Sequence, residues 1–368
     1  MVTNDMAILN KEIAYKAIQK FFRDRPFVFF GTGTSCAMDI RFGMGALREE
    51  LIKTITPESL SPVQKRQWES VLSNLSKSGD LESAMNKISD KVLLDRVINI
   101  TGGFVASVDS EYSYKILSGD SKWPAINLIK KLLGSLTPDC PYLPILTPNY
   151  DMLFEYACCK EQIPYTNGYV GGIVKAQHWK TAIQRFVVEK KRLVKSKYKT
   201  IKTLSNHIRL FKVHGSLNLF DLGNRVIEND SWMWKPPSSV SRMIITPGLS
   251  KYEVAHRYRT ELLSQADEEI QKASSFLFLG YGFNDNHLDN SIKNKIVNEN
   301  CNCLIITKDI NANILDLANS ASSVWVVSKG AELNGTTIYN QNYRPLQIKS
   351  MDLWDFVVFA STILGDKS

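Results

Sequence analysis

Polar side chains that can bind or activate a small molecule stand directly after two apolar runs of the sequence. Asn149 and Asp151 lie two positions apart, so an extended backbone turns both side chains to the same side. His214 follows the apolar run 209–213. An amide can hold a carboxamide or orient a water molecule, and an imidazole can take a proton from a sugar hydroxyl near neutral pH. These three residues are the candidate catalytic set.

Each of these residues also has a structural interpretation. Asn149 or Asp151 could cap the helix that follows, because short polar side chains accept hydrogen bonds from the first amides of a helix. A single histidine at the end of a strand is commonly a structural residue. Taken one at a time, the motifs leave catalysis and structural support both open.

Two glycine-rich turns are candidate phosphate sites. Residues 31–35 read Gly-Thr-Gly-Thr-Ser, and residues 280–284 read Gly-Tyr-Gly-Phe-Asn. Glycines allow backbone N–H groups to approach a phosphate closely. The first turn is not a Walker loop, because no Gly-Lys-Ser/Thr follows, and Cys36 stands at the third glycine position of Gly-x-Gly-x-x-Gly. Either turn could instead be a tight connection between a strand and a helix, with Asp285 capping the second helix.

Seven short apolar runs, rich in β-branched and aromatic residues, punctuate the chain. The runs are 26–30, 142–146, 209–213, 243–245, 275–279, 303–306 and 324–327. Helical patterns alternate with them, at 44–53, 152–160, 252–274 and 311–319. This alternation indicates an α/β fold with a Rossmann-like, doubly wound parallel sheet. Ligands bind such sheets at the carboxyl ends of the strands, which is where the polar motifs stand.

Residues 55–138 differ from the rest of the chain, because their apolar residues recur at helical spacing and few runs resemble strands. We interpret them as a helical insertion. The prediction is a single domain over residues 1–368, with the core sheet in about 24–54 and 139–330. A C-terminal extension covers about 331–368.

The composition is that of a globular protein, with 44% hydrophobic and 22% charged residues in a chain of 368. No apolar run reaches the roughly 18 residues that a membrane span needs, so we expect no membrane partner. The start has neither the apolar stretch nor the cleavage site of a secretory signal, so we expect a cytoplasmic protein with reduced thiols. The six cysteines form no Cys-x-x-Cys pair, and we expect no bound metal.

The net charge of +8 is concentrated in one segment. Residues 175–202 hold ten Lys/Arg against the single acid Glu189, with Trp179, Phe186 and Tyr198 among them. Such a segment could bind nucleic acid or an acidic partner. A solvated face with ordinary core aromatics is the interpretation that we favour.

Together the motifs resemble the sirtuin catalytic domain, in the order glycine-rich turn, Thr-x-Asn-x-Asp box, His-Gly pair and second glycine turn. Residues 147–151 are similar to the sirtuin Thr-Gln-Asn-Ile-Asp box, with proline in place of glutamine, and residues 212–216 are similar to the His-Gly box. Three motifs are more similar still to the sirtuin-like domains of bacterial anti-phage systems: Asn-Tyr-Asp, Val-His-Gly-Ser and the run 280–288. The resemblance covers about residues 26–310.

Besides this proline, the sequence departs from the sirtuin pattern in three further places. Sirtuin deacylases carry a four-cysteine zinc module, whereas this chain has no cysteine between Ser216 and Gly280. We therefore expect a fold without the zinc module, which argues against peptide deacylation. Thr307 stands near where many sirtuins use asparagine against the adenosine ribose, and residues 38–42 replace the family's Asp-Phe-Arg segment.

The resemblance implies that NAD+ is the substrate and that the bond between nicotinamide and ribose is cleaved, giving ADP-ribose or a cyclic product. The transition state then resembles the oxocarbenium ion of glycoside cleavage. By this resemblance Asn149 orients water or nicotinamide, Asp151 contacts the carboxamide or the developing charge, and His214 holds or deprotonates ribose hydroxyls. The residues expected to bind the rest of NAD+ are Gly31, Thr32, Gly33, Ser35, Gly280, Gly282, Asn284 and Thr307.

The wider role implied by the resemblance is abortive infection, in which an enzyme depletes NAD+ after a phage signal. Since the chain leaves little room for a sensor, we expect control by homo-oligomerisation or by a partner such as a HerA-type ATPase or an Argonaute-like protein. Two other interpretations stay open. One is a sirtuin-like deacylase or ADP-ribosyltransferase, and the other is a non-catalytic sensor of NAD+ or ADP-ribose that gates a partner.

Overall fold

Helices and strands alternate around the central strands, whereas residues 32–134 are mainly helical and residues 165–244 are mainly strands. A computed structural model describes residues 6–78, 81–194, 197–223, 225–245, 263–331 and 334–365. The helices are α1 (Lys11–Phe21), α2 (Thr32–Cys36), α3 (Met44–Thr54), α4 (Pro62–Ser78), α5 (Leu81–Met85), α6 (Lys91–Ser118), α7 (Ile126–Gly134), α8 (Leu153–Lys160), α9 (Trp179–Gln184), α10 (263–272), α11 (Asn286–Asn298), α12 (Ala312–Ser320) and α13 (Phe356–Leu364). Within the described ranges no helix has both the length and the apolar composition required to cross a membrane.

The strands belong to four sheets of different size. They are β1 (Ala7–Ile8), β2 (Phe27–Phe30), β3 (Tyr142–Thr147), β4 (Tyr165–Thr166), β5 (Tyr169–Gly171), β6 (Lys175–Gln177), β7 (Val187–Val194), β8 (Lys197–Leu204), β9 (His207–Lys212), β10 (Gly215–Asp221), β11 (Val226–Glu228), β12 (Ser241–Ile244), β13 (Ser275–Leu279), β14 (Asn302–Ile306), β15 (Val324–Lys329), β16 (Gly335–Tyr339), β17 (Tyr343–Arg344) and β18 (Leu346–Lys349). The short strands β1 and β17 pair in parallel, away from the other sheets.

Nine strands form the central sheet, in the order β18-β16-β15-β14-β13-β2-β3-β9-β4. The seven strands from β15 to β4 run parallel to their neighbours. The predicted α/β fold with a Rossmann-like parallel sheet is therefore confirmed. The strands β16 and β18 add an antiparallel edge, so part of the predicted C-terminal extension continues the sheet.

Both faces of this sheet are covered, because successive side chains of a strand point to opposite sides. Val28 and Phe30 of β2 and Leu277 of β13 pack in a core shared with α1, α7, α8 and α13. Phe29 and Phe278 pack on the other face, beneath α11 and α12, with 4.9 Å between their ring centroids. Continuous apolar strands of this kind are typical of a parallel sheet buried on both faces.

The run 243–245 is largely a strand, but the prediction that it joins the parallel sheet is wrong. It contributes to β12, which pairs antiparallel with β10 in a second sheet of order β12-β10-β11-β6-β5. A short apolar run indicates that a strand is buried, but it does not indicate the strand with which it pairs. The turn that follows, 246–248, lies outside the described residues, as does the first half of the predicted helix 252–274.

The basic segment 175–202 has two kinds of surroundings. Trp179 and Phe186 pack against aromatic rings of β9, with centroid separations of 5.1 and 4.1 Å, as expected for core aromatics. The strands β7 and β8 form a hairpin that, among the described residues, pairs with no other strand. Tyr198 of this hairpin is 75% exposed. Nucleic-acid binding by the segment stays the interpretation that we do not favour.

Residues 55–138 are largely helical, as predicted, and they contribute to two cores. Trp68 of α4 and Leu93 of α6 pack with α3 and α5 in a small core of their own. Ile129 of α7 packs on the central sheet instead. The helix α6 is long enough to reach both cores, and its Ile116 lies in the larger one. The helical stretch therefore packs partly against the central sheet and partly in its own core.

The two glycine turns touch each other backbone to backbone. The amide of Gly31 donates to Leu279 O, and the amide of Gly33 donates to Gly280 O, both at 3.0 Å. A Cβ atom on Gly280 would lie 2.8 Å from the Gly33 Cα, and Gly280 has a left-handed φ of +57°. Glycine is required here by the close approach of the two loops as well as by backbone conformation.

We predict that Gly280→Ala lowers the free energy of unfolding by at least about 2 kcal/mol, because the left-handed backbone and the backbone contact both resist a Cβ atom. Gly103→Ala is the matched control. Gly103 lies within α6 with nothing near its Cβ position, so alanine there raises stability by about 0.5–1 kcal/mol. Urea unfolding of both variants measures the difference. Equal effects of the two substitutions would contradict the loop contact.

Candidate active site

A pocket of about 250 Å³ lies at the carboxyl ends of β2, β3, β9 and β13, facing α3 and α6. Parallel strands bring the loops at their carboxyl ends to the same edge of the sheet, which explains why distant motifs meet here. Eight of the predicted site residues line it. They are Gly31, Thr32, Asn149, Asp151, His214, Gly280, Gly282 and Asn284.

Asn149 is 7% exposed and is held by its amide nitrogen. The Nδ2 atom donates to Gly31 O and to Ser35 Oγ, both at 3.1 Å, and the backbone N–H of Asn149 donates to Thr147 Oγ1. The Oδ1 atom is buried and has no hydrogen-bond partner in the described structure. A buried acceptor without a donor costs about 1–3 kcal/mol, so this oxygen is suited to a ligand that brings an N–H or O–H group.

Asp151 serves both the pocket and the following helix. Its Oδ2 accepts a hydrogen bond from Ser35 Oγ at 2.8 Å, and its Oδ1 accepts a longer one from the amide of Leu153 at the start of α8. The N-cap of α8 is Met152, so Asp151 bonds the first helical amide from the position before the cap, and its side chain also lines the pocket. Burial raises the pKa of the Asp151 carboxyl, while the nearby Lys212 ammonium opposes that rise.

Ser35, Gly33 and Thr307 are not in the pocket wall. The helix α2 begins at Thr32 and turns Ser35 inward, where it is 1% exposed and bonded to Asn149 and Asp151. The Ser35 hydroxyl thus supports Asn149 and Asp151, and its expected contact with the diphosphate stays a prediction. The Gly33 amide is used by the contact with Gly280, and the Thr307 hydroxyl donates to Asp309 O.

His214 follows β9 and meets Asp285, which follows β13. The distance from His214 Nε2 to Asp285 Oδ2 is 2.7 Å. The other oxygen of Asp285 accepts a 3.4 Å hydrogen bond from the Leu288 amide, so the predicted capping role is also present. The sequence indicated only the cap, because nothing in it links two residues that are 71 positions apart.

The second glycine turn is held by two side-chain amides, Asn311 and Asn313, that no motif in the sequence marks. Asn311 Nδ2 donates to Gly282 O at 2.7 Å, and Asn313 Nδ2 donates to Phe283 O at 2.8 Å and to Asn284 Oδ1 at 3.0 Å. Both residues lie at the start of α12, the helix that follows β14. The sequence signal that could have indicated them is the close spacing of two asparagines, Asn311 and Asn313, after β14.

The wall opposite the sheet is mainly apolar, with Phe42, Leu47 and Phe104 among its residues. Arg41 stands at its edge and bonds to both oxygens of Glu111 at 2.8 and 2.7 Å, and to Asp39 at 2.7 Å. The Arg41 guanidinium lowers the pKa of both carboxyls. The pocket thus combines a polar side and an apolar side, which suits a ligand with hydroxyls and a flat ring.

A buried ion pair supports the floor of the pocket. Lys212 Nζ lies 2.8 Å from Glu155 Oε1 and also donates to the backbone carbonyls of Tyr150 and Asp151. Both charged side chains are about 5% exposed or less. Burial raises the pKa of Glu155, and the Lys212 charge opposes that rise. A lysine within an otherwise apolar strand end was the signal that could have indicated this pair.

We predict that Lys212→Met lowers the free energy of unfolding by about 3–5 kcal/mol, because it leaves a buried carboxyl without its cation. The loss is larger at pH 8 than at pH 5, since the unpaired Glu155 stays protonated in the folded state and ionises in the unfolded state. The double variant Lys212→Met/Glu155→Leu recovers most of the loss.

Lys130→Met is the control for that substitution, because the Lys130–Glu161 pair is more exposed and contributes at most about 1 kcal/mol. Urea unfolding at both pH values measures all four proteins. Equal losses for Lys212→Met and Lys130→Met would show that the buried pair is not a main support of the floor.

Among the described residues, no group of three or more His, Cys, Asp or Glu side chains could hold a metal ion. No curated protein matches the chain. Residues 144–310 match the family model of a SIR2-like domain. The match begins within β3 and includes both the Asn-Tyr-Asp motif and the second glycine turn. The matched part of the chain carries Asn149, Asp151, His214 and Gly280, and it is similar to a SIR2-like domain.

Proposed function

We propose that the protein hydrolyses NAD+ at the bond between nicotinamide and ribose, releasing nicotinamide and ADP-ribose. SIR2-like domains bind NAD+, and residues 144–310 match that family. The observation that carries the proposal is the buried Asn149 carboxamide, whose oxygen has no partner in the described structure and which shares a pocket with His214.

The two sides of the pocket match the two kinds of chemical group in this half of NAD+. Phe42 and Phe104 on the apolar side would contact the nicotinamide ring. On the polar side, the free oxygen of Asn149 would accept a hydrogen bond from a ribose hydroxyl, from the carboxamide or from the attacking water. Gly31 and Gly282 also line the pocket, and the rest of the dinucleotide would extend past them.

The reaction needs positioning and charge placement more than a strong nucleophile. Nicotinamide leaves as a neutral molecule, and the ribose carbon then carries oxocarbenium character that water can attack. Cys36 lies next to this region in α2, but burial and nearby carboxylates raise the pKa of its thiol to about 11. The thiol therefore stays protonated at neutral pH, which favours water over cysteine as the attacking group.

The biological role that we propose is depletion of NAD+ during phage infection. Its support is the similarity of Asn-Tyr-Asp, Val-His-Gly-Ser and the run 280–288 to sirtuin-like domains of anti-phage systems. In that setting a partner protein or self-assembly keeps the enzyme inactive until infection.

Cellular NAD+ should then fall after infection in cells that carry the active protein and its genomic neighbours, and not in cells that carry the Asn149→Ala variant.

We predict that Asn149→Ala lowers NAD+ hydrolysis by at least about 10²-fold, because the group that orients the reactants is lost. Stability should change by only about 1 kcal/mol, since the substitution removes two hydrogen bonds and one unpartnered buried acceptor. Chromatographic measurement of nicotinamide and free ADP-ribose, together with urea unfolding, tests both expectations.

Asn127→Ala is the matched control, because Asn127 is an exposed amide on α7 outside the pocket. It should leave hydrolysis unchanged. Normal NAD+ loss with the pure Asn149→Ala protein would contradict the proposed function. Release of nicotinamide with ADP-ribose bound to protein would instead indicate transfer.

A further inference from the structure

The imidazole of His214 is held by a carboxylate from a separate loop of the fold. His214 Nε2 and Asp285 Oδ2 are 2.7 Å apart, and the two side chains are 16% and 11% exposed. We propose that Asp285 is a positioning residue that fixes the tautomer of His214, with hydrogen on Nε2 and the lone pair of Nδ1 open to the pocket. The effect of Asp285 on kcat rests on the proposed function, whereas the tautomer of His214 does not.

The tautomer follows from what each atom can donate or accept. An ionised carboxylate only accepts hydrogen bonds, and a neutral imidazole has a single N–H. The contact with Asp285 therefore places that hydrogen on Nε2 and leaves Nδ1 as an acceptor. Within the described residues no hydrogen bond joins Nδ1 to another group, and the His214 side chain, which is 16% exposed, lines the pocket.

Helix capping does not account for the contact. The two oxygens of Asp285 have separate tasks, because Oδ1 accepts from the Leu288 amide and Oδ2 meets His214. The neighbouring carboxylate Asp289 cannot replace it, since its Oδ1 accepts from the Tyr281 hydroxyl at 2.6 Å and is turned to that ring. The orientation of His214 is therefore specific to Asp285.

The tautomer determines what His214 can do in the proposed reaction. As water attacks the anomeric carbon, an O–H proton of the water moves to Nδ1. The electron pair of the carbon–nitrogen bond leaves with nicotinamide, which departs as a neutral molecule. The imidazolium that forms lies beside the Asp285 carboxylate, which stabilises its charge without taking the proton. With hydrogen on Nδ1 instead, the imidazole would have no lone pair facing the pocket.

Asp285→Asn is the informative substitution. The side-chain oxygen must stay opposite the Leu288 amide to keep that hydrogen bond, so the new amide nitrogen takes the position of Oδ2. That nitrogen donates to Nε2 and forces the imidazole hydrogen onto Nδ1. We expect kcat for NAD+ hydrolysis to fall by about 10²–10⁴-fold, with KM and the melting temperature unchanged.

Asp90→Asn is the matched control, because Asp90 caps α6 through a hydrogen bond from the Leu93 amide and lies outside the pocket. If Asp285 were only a helix cap, the two asparagine variants would change the melting temperature alike and leave kcat unchanged. That result would overturn the inference.

Nitrogen-15 NMR of the histidine side chains tests the tautomer without any substrate. The chain has five histidines, and the His214→Gln variant identifies the resonances of His214. We expect hydrogen on Nε2 in the unaltered protein and on Nδ1 in Asp285→Asn. Hydrogen on Nδ1 in the unaltered protein would overturn the inference. If the protein does not cleave NAD+, the proposed function fails, while the NMR result still decides the tautomer.

Discussion

Two glycine turns meet backbone to backbone at the carboxyl ends of β2 and β13, and the geometry of the site depends on that contact. On one side it fixes the loop at 31–35, whose Gly31 carbonyl and Ser35 hydroxyl hold the Asn149 amide. On the other side it fixes the turn at Gly280, which brings Asp285 to His214. A Cβ atom at either glycine turn would separate the loops and, with them, the two halves of the polar wall.

Most groups of the polar wall form hydrogen bonds within the protein. Ser35 links the Asn149 amide to the Asp151 carboxylate, and Lys212 holds the backbone below them. Among the described atoms of this wall, the Asn149 oxygen is buried without a donor. A buried acceptor without a donor costs about 1–3 kcal/mol, and a ligand that donates to it recovers that cost.

The central parallel strands and the convergence of Asn149, Asp151 and His214 were accessible from the sequence, because apolar runs ended by polar residues reveal strand ends and parallel strand ends share an edge. The partners of those residues were not. The pair Lys212–Glu155 joins residues 57 positions apart, and the pair His214–Asp285 joins residues 71 positions apart. Such pairs cannot be predicted from the sequence, because hydrogen bonds between distant residues leave no periodic pattern in it. The inward turn of Ser35 and the antiparallel pairing of β12 were missed for the same reason, since both are decided by neighbours distant in sequence.

The central claim is that Asn149 and His214 face the bond between nicotinamide and ribose from the same pocket. It is tested most directly by a crystal structure with an NAD+ analogue in which the ring oxygen of that ribose is replaced by methylene, which prevents the oxocarbenium ion from forming. The account predicts the anomeric carbon between these two side chains, with a donor of the analogue within hydrogen-bond distance of Asn149 Oδ1. An analogue bound elsewhere, or bound here with its nicotinamide ribose turned away from both residues, would contradict it.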